Sequence, residues 1–160
     1  MPKLDEIPSS MPASRDGSRS EPPTGSRMDG VPPELSALAT TDAQCRHAAL
    51  DGFDWPDASG VLRKVHEELR ELQEAIAAGD RRALIHEYGD ALMALASVGR
   101  HIGVAPDHAL HTANARFDER FREMERIVRE QGQRLGDLTS EQLEDLWTTS
   151  KHNTKSSTSG

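Results

Sequence analysis

This chain of 160 residues predicts an all-α bundle of four to five helices. Three observations carry that expectation. From about residue 58 to 130, apolar side chains recur at the i, i+3, i+4, i+7 spacing of helices that bury one face. Glycines and capping residues fall where those periodic runs stop and restart. No segment alternates like a half-buried strand, and no internal repeat is present.

Residues 1–32 are rich in Pro, Ser, Gly and charge, with few large apolar side chains. Such a stretch buries too little to offset its ordering entropy, so a disordered extension is expected, with Met28 a candidate native start. A first helix, weakly periodic, is expected within Pro33–Leu50, followed by the linker GFDWPD, broken by Gly52 and Pro56. A strong helix follows from Ala58 to Ala78, with Val61, Leu62, Val65, Leu69, Leu72 and Ile76 as its stripe. Gly79 is a natural C-cap and Asp80 a natural N-cap for the next helix. That helix runs to about Ile102, with Leu84, Ile85, Tyr88, Leu92, Leu95 and Ile102 on one face, and ends at Gly103. Pro106 suits the first turn of another helix, striped by Leu110, Ala113, Phe117, Phe121, Met124 and Val128 and closed by Gly132. Thr139 with Gln142 three residues on is a capping-box pattern that announces a short last helix before LEDLW. One domain is expected over 33–151, with a disordered tail over 152–160.

The net charge of -8 argues against a surface that grips nucleic acid non-specifically. No apolar run approaches the roughly 20 residues that span a bilayer, and the N-terminus carries no secretory h-region. The single cysteine, Cys45, excludes a disulfide framework and fits a reducing compartment. A cytoplasmic protein with no membrane or nucleic-acid partner is the expectation.

Chemistry is concentrated in KVHEELRELQEA, residues 64–75. At roughly 100° per residue, Glu67 and Glu74 project away from the apolar stripe as solvated charges. Glu68 lies beside the stripe on a flank shared with Lys64, Glu71 and Ala75, and Glu68 and Glu71 are helical neighbours. Two adjacent carboxylates at the edge of a core repel one another and call for a cation. HEYGD on the next helix carries Glu87 and Asp90, the sole acids between Asp80 and Asp107. Glu87 shares its flank with Ala91, Ala94 and Val98, and Gly89 suggests that backbone or ligand comes near. Antiparallel packing across the Gly79–Asp80 turn would let Glu68, Glu71, Glu87 and Asp90 converge. Four carboxylates without a cysteine suit a hard ion such as Mg²⁺ or Mn²⁺. A ferritin-like di-iron site is excluded, because His66 and His86 lack the Glu-x-x-His offset. His47, His66, His86, His101, His108 and His111 show no pairing at ligand spacing and read as ordinary helix or surface residues.

In TANARFDERF, Arg116 and Arg120 are i, i+4 neighbours suited to phosphate oxygens, unless they pair with acids such as Asp118 and Glu123. Lys64 adds a point charge beside Glu68.

GFDWPD, KVHEELRE, EYGDALMALASVGRHIGV, ANARFDERFREMERIV and LEDLW, in that order over roughly residues 44–151, resemble MazG-type nucleoside triphosphate pyrophosphohydrolases. The likeness is strongest to the catalytic C-terminal module of two-module members. It implies a MazG-like all-α fold and a homodimer or homotetramer built through shared helical bundles. It also implies Mg²⁺-dependent hydrolysis of NTPs or dNTPs to the monophosphate and pyrophosphate, possible house-cleaning of non-standard nucleotides included, with Mn²⁺ able to substitute. Carried onto this chain, the metal ligands are Glu68, Glu71, Glu87 and Asp90. Lys64, Arg116 and Arg120 fall at triphosphate contacts with Asn114 close by. Trp147 matches a nucleotide-contacting tryptophan, and Phe53 and Trp55 belong to a block near the nucleotide. Arg116 stands where relatives often have lysine, which keeps the charge, while the segment before Gln44 matches poorly. The general base is a site carboxylate, Glu71 or Glu67, acting on a water that attacks the α-phosphorus. Two other readings stay open at this point. One is a related all-α hydrolase, such as a dimeric dUTPase or a phosphoribosyl-ATP pyrophosphohydrolase. The other is a non-catalytic bundle that binds nucleotide or a partner protein.

Overall fold

The computed structural model describes residues 25–157. The expected disordered extension lies outside the described residues as far as residue 24, as does the end of the expected tail, 158–160. Five α-helices and no strand are found among the described residues: α1 (Ala37–Ala49), α2 (Ala58–Ala78), α3 (Arg81–Ile102), α4 (Pro106–Glu130) and α5 (Ser140–Ser157). The all-α expectation is borne out. Two short 3₁₀ turns, Arg27–Gly30 and Leu135–Asp137, were not foreseen, and α5 continues past the expected boundary at 151.

The helices begin and end where local hydrogen bonding directs. Asp57 caps α2 by accepting from Gly60 N at 2.8 Å, and Asp80 caps α3 by accepting from Arg82 N and Ala83 N. The Thr139 box is complete: Thr139 N donates to Gln142 Oε1 at 2.8 Å and Gln142 N to Thr139 Oγ1 at 3.3 Å. Gly79, at φ 67°, ends α2 in the left-handed conformation, and its N–H reaches Ile76 O. At the far end of α3 the chain folds back tightly, and Val104 N donates to Gly99 O at 2.8 Å. A Cβ at Gly99 would sit 2.4 Å from Val104 O, so only glycine allows that return.

The chain divides into two compact units, the first ending at Asp107 and the second beginning at His108. In the first, α2 and α3 pack along their length, and α1 lies against α3, with Cys45 Sγ 3.1 Å from Ser97 Oγ. The core is made of small residues: Val61, Val65 and Ala75 of α2, Ala91, Ala94, Ala96 and Ser97 of α3, and Cys45 and Ala48 of α1. This corrects the expected buried stripes. Leu62, Leu69 and Ile76 of α2 and Ile85, Tyr88, Leu92, Leu95 and Ile102 of α3 are all exposed, by 42% to 64%. What α2 buries is the neighbouring flank, Lys64, Glu68 and Ala75, against the alanine flank of α3. Small side chains bring two helix backbones close, and the bulky ones are left facing outward. Among the described residues no backbone approaches Gly89, since a Cβ there would meet nothing within 4 Å.

In the second unit, Met124 and Val128 are the buried residues of α4. Phe117 and Phe121, expected in the stripe, are instead 58% and 40% exposed. Asn153 of α5 donates to Glu123 of α4 at 2.8 Å.

Candidate metal centre

Antiparallel α2 and α3 open toward their shared turn into a cleft of about 650 Å³, lined by Lys64, Glu68, Glu71, Glu74, His86, Glu87 and Asp90 among others. Donor oxygens of Glu68, Glu71 and Glu87 all lie within 4.8 Å of one another. Asp90 enters a second group through Glu87: ligand atoms of His86, Glu87 and Asp90 also lie within 4.8 Å of one another. Exposure is graded across the four acids. The Glu68 side chain is 4% exposed, Glu87 and Glu71 are half-buried at 21% and 24%, and Asp90 is open at 41%. The cleft is thus lined by all four acids, with Glu68, Glu71 and Glu87 in one close group and Asp90 joined to it through Glu87.

Glu68 carries the most telling atom. Its Oε1 accepts from Lys64 Nζ at 2.7 Å, while Oε2 is buried with no hydrogen-bond partner among the described residues. An unpaired charged oxygen in a buried place is costly. A hard divalent cation is the partner that such a set of oxygens fits, and no soft donor is near to favour another metal.

Lys64 differs from a phosphate contact held out in solvent. Its side chain is 5% exposed and its Nζ is shared between Glu68 and Glu67, the latter at 2.9 Å. Burial pushes its ammonium down, but the hydrogen bonds with Glu68 and Glu67 outweigh this and hold it above the ordinary lysine value. Glu67, expected to be solvated, is half-buried by this bond, whereas Glu74 is exposed and pairs with Arg70. His86, read from the sequence as an ordinary residue, stands with Nδ1 3.3 Å from Asp90 Oδ2 and 3.4 Å from Glu87 Oε1. Its i, i+4 spacing from Asp90 was the available signal.

Phe53 and Trp55 are half-buried in the linker before α2 and do not line the cleft. Trp55 packs on the first turn of α2, where a Cβ at Gly60 would lie 3.1 Å from its Cδ1. The linker is tied to the end of α3 by Asp54, which accepts from both terminal nitrogens of Arg100 and lies 3.3 Å from His101 Nε2. Sequence reasoning missed this half-buried Asp54–Arg100–His101 network, in which Asp54 lies 46 residues from Arg100.

Within the second unit, Asp118 pairs with Arg122 and Glu123 with Arg126. The acids that might have neutralised Arg116 and Arg120 are therefore occupied, and Arg116 makes no ion pair among the described residues. The Arg120 guanidinium lies 5.7 Å from the Trp147 ring centre. Lys151 Nζ stands at the same distance and Phe117 at 5.5 Å, so Trp147 is surrounded by two cations and a second aromatic ring. Asn114 is exposed on α4.

Fold and cleft together define an all-α protein with a carboxylate cluster suited to a hard cation. No family model matches the chain. It is 37% identical over 126 residues to the nucleoside triphosphate pyrophosphohydrolase/pyrophosphatase MazG of Thermotoga maritima, covering 79% of this chain and 48% of that protein. It is 36% identical over 124 residues to a nucleoside triphosphate pyrophosphohydrolase of Escherichia coli K12, covering 76% of this chain and 47% of that protein. A shorter match, 37% over 65 residues, is to the uncharacterized protein YabN of Bacillus subtilis, covering 41% of this chain and 13% of that protein. The chain is thus a homologue of MazG proteins, and it spans about half the length of these first two relatives.

Proposed function

We propose that this chain hydrolyses nucleoside or deoxynucleoside triphosphates to the monophosphate and pyrophosphate. The observation that carries the proposal is the convergence of Glu68, Glu71 and Glu87 oxygens within 4.8 Å, together with a buried Glu68 Oε2 that has no hydrogen-bond partner among the described residues. The names of the homologues supply the substrate class.

In this reading Glu68, Glu71, Glu87 and Asp90 would hold Mg²⁺, or Mn²⁺ in its place, which would supply charge to offset the triphosphate and to acidify the attacking water. A water oxygen attacks the α-phosphorus, the bond from that phosphorus to the α–β bridging oxygen breaks, and pyrophosphate departs. Glu71 or Glu67 takes the water's proton. Arg116 and Arg120, with which no carboxylate among the described residues pairs, contact the phosphates, with Asn114 on the same helix. By the same resemblance Trp147 offers its ring to the base, and Phe53 and Trp55 belong to a block near the nucleotide. Cleansing of non-standard nucleotides is the proposed service, and the cytoplasm, where Cys45 stays reduced, is the proposed location.

The exposed apolar residues of α2 and α3 are proposed to close a homodimer or homotetramer. Ile85, Tyr88, Leu92, Leu95 and Ile102 follow alternating steps of three and four residues, apart from one longer step across Gly99, which is the spacing of a helix-to-helix seam. A second copy would cover them and Leu62, Leu69 and Ile76. Pyrophosphate release from a panel of triphosphates, with and without Mg²⁺, tests the activity. A protein that binds nucleotide in the presence of Mg²⁺ yet forms no product would be a binding module instead.

A further inference from the structure

The geometry points to Lys64 as a positioning residue: its ammonium holds Glu68 Oε1 so that Oε2 is presented to the divalent cation. The inference rests on the metal-centre reading above and deepens it.

A glutamate on a helix has several rotamers, and three converging carboxylates repel one another, so Glu68 left alone would turn from the cluster. Lys64 lies one turn earlier on the same helix, and its Nζ fixes Glu68 Oε1 at 2.7 Å and Glu67 Oε1 at 2.9 Å. Both partners of the closer pair are almost wholly buried, at 5% and 4% exposure, which leaves little room for another arrangement. The two oxygens of Glu68 are thereby divided. One is spent on the ammonium, and the other is buried, without a hydrogen-bond partner among the described residues, and belongs to the most buried member of the Glu68–Glu71–Glu87 group. Two of the three donors of that ammonium are taken by Glu68 and Glu67, and the side chain is 5% exposed, so its service to the reaction runs chiefly through Glu68.

Two effects of the ammonium oppose each other. Its charge repels an incoming cation, while its hydrogen bonds keep the most buried ligand in place. Orientation prevails here, because removal of Lys64 strands a buried carboxylate, and partners behind metal ligands typically govern about 10–100-fold in metal affinity.

Mn²⁺ binding to the nucleotide-free protein, followed by the electron paramagnetic resonance of free Mn²⁺, reads this directly. Lys64→Met is expected to bind Mn²⁺ at least about tenfold more weakly with unchanged helical circular dichroism. Lys64→Arg, which keeps the charge and the donors, should recover most of the affinity. If Lys64→Met does not fold, Lys64→Gln takes its place with the same expectation. Mn²⁺ affinity that is unchanged or tighter in the folded neutral variant, with only the nucleotide KM raised, overturns the inference and makes Lys64 a phosphate contact. If the wild-type protein itself binds no Mn²⁺, the metal-centre reading has failed and this inference falls with it, an outcome distinct from a defect confined to the variant.

Discussion

The α2–α3 pair and the α4–α5 unit handle charge in opposite ways. In the pair, acids and a lysine are drawn into a packed flank, and the ion pair at its centre is nearly dry. In the unit, Arg116 is exposed and unpaired among the described residues, and Arg120 and Lys151 rest on the face of a tryptophan. Burial makes the first region a fixed geometry of oxygens, in which each charge has a required partner. The second region offers surfaces that exchange one cationic or aromatic neighbour for another at little cost. Fixed oxygens suit a cation and the bond that breaks, and adaptable surfaces suit recognition.

If that contrast holds, damage to the first region should be the more severe. Asp90→Ala and Glu68→Gln are expected to lower kcat at least about a hundredfold, since the charge stabilisation at stake is several kcal/mol. Helical circular dichroism should persist, and near-normal turnover in either folded variant would break the assignment. Glu68→Gln is preferred to alanine because alanine would leave Lys64 buried without its closer partner. Trp147→Ala is expected to act chiefly on KM, by the ~1–3 kcal/mol of one base stacked on an aromatic ring. A loss confined to kcat would assign Trp147 to the chemistry and blur the division.

The outward faces of α2 and α3 offer a separate test. Leu92→Asp should shift sedimentation from an oligomer toward the monomer, because a charge at an apolar seam cannot be buried unpaired. A wild-type monomer at micromolar concentration would remove the need for a second copy.

The smallest effect concerns the ion pair that joins α4 internally. Hydrogen bonds from Arg126 and Asn153 hold the Glu123 carboxyl down at about 2, against an ordinary value of 4.5. A depressed carboxylate stabilises the fold above its unfolded value, and that contribution is lost as pH falls from 4.5 toward about 2. Glu123→Gln should therefore melt lower than wild type near neutral pH by about 1 kcal/mol or less, with the gap closing in acid. A gap that widened in acid would contradict the pairing.

What the sequence disclosed follows the range of the forces involved. Caps at Asp57, Asp80, Thr139 and Gly79 depend on bonds spanning at most four residues, and of these the sequence marked Asp80, Thr139 and Gly79. Glu68, Glu71 and Glu87 were legible for the same reason, because each shares a flank with small residues set by helical periodicity, and Asp90 through its place three residues after Glu87. The burial of Lys64 was not legible, since it depends on how closely α3 approaches α2. The bulky stripes misled for a related reason: periodicity says which residues seek cover but not which body covers them. Asp54 with Arg100 is a contact across 46 residues, beyond any local pattern. Residues 151–157 lack apolar periodicity, yet α5 continues through them, with Lys151 set over Trp147 and Asn153 bonded to Glu123.

The central claim is that the carboxylates of α2 and α3 serve a metal-dependent cleavage between the α- and β-phosphates. Product analysis on a panel of NTPs, dNTPs and modified nucleotides, run with Mg²⁺ and with chelator, tests it most directly. Equimolar monophosphate and pyrophosphate from at least one triphosphate, formed only with the divalent ion, is the predicted result. Release that ignores the chelator, orthophosphate as the product, or no release from any of them would contradict it.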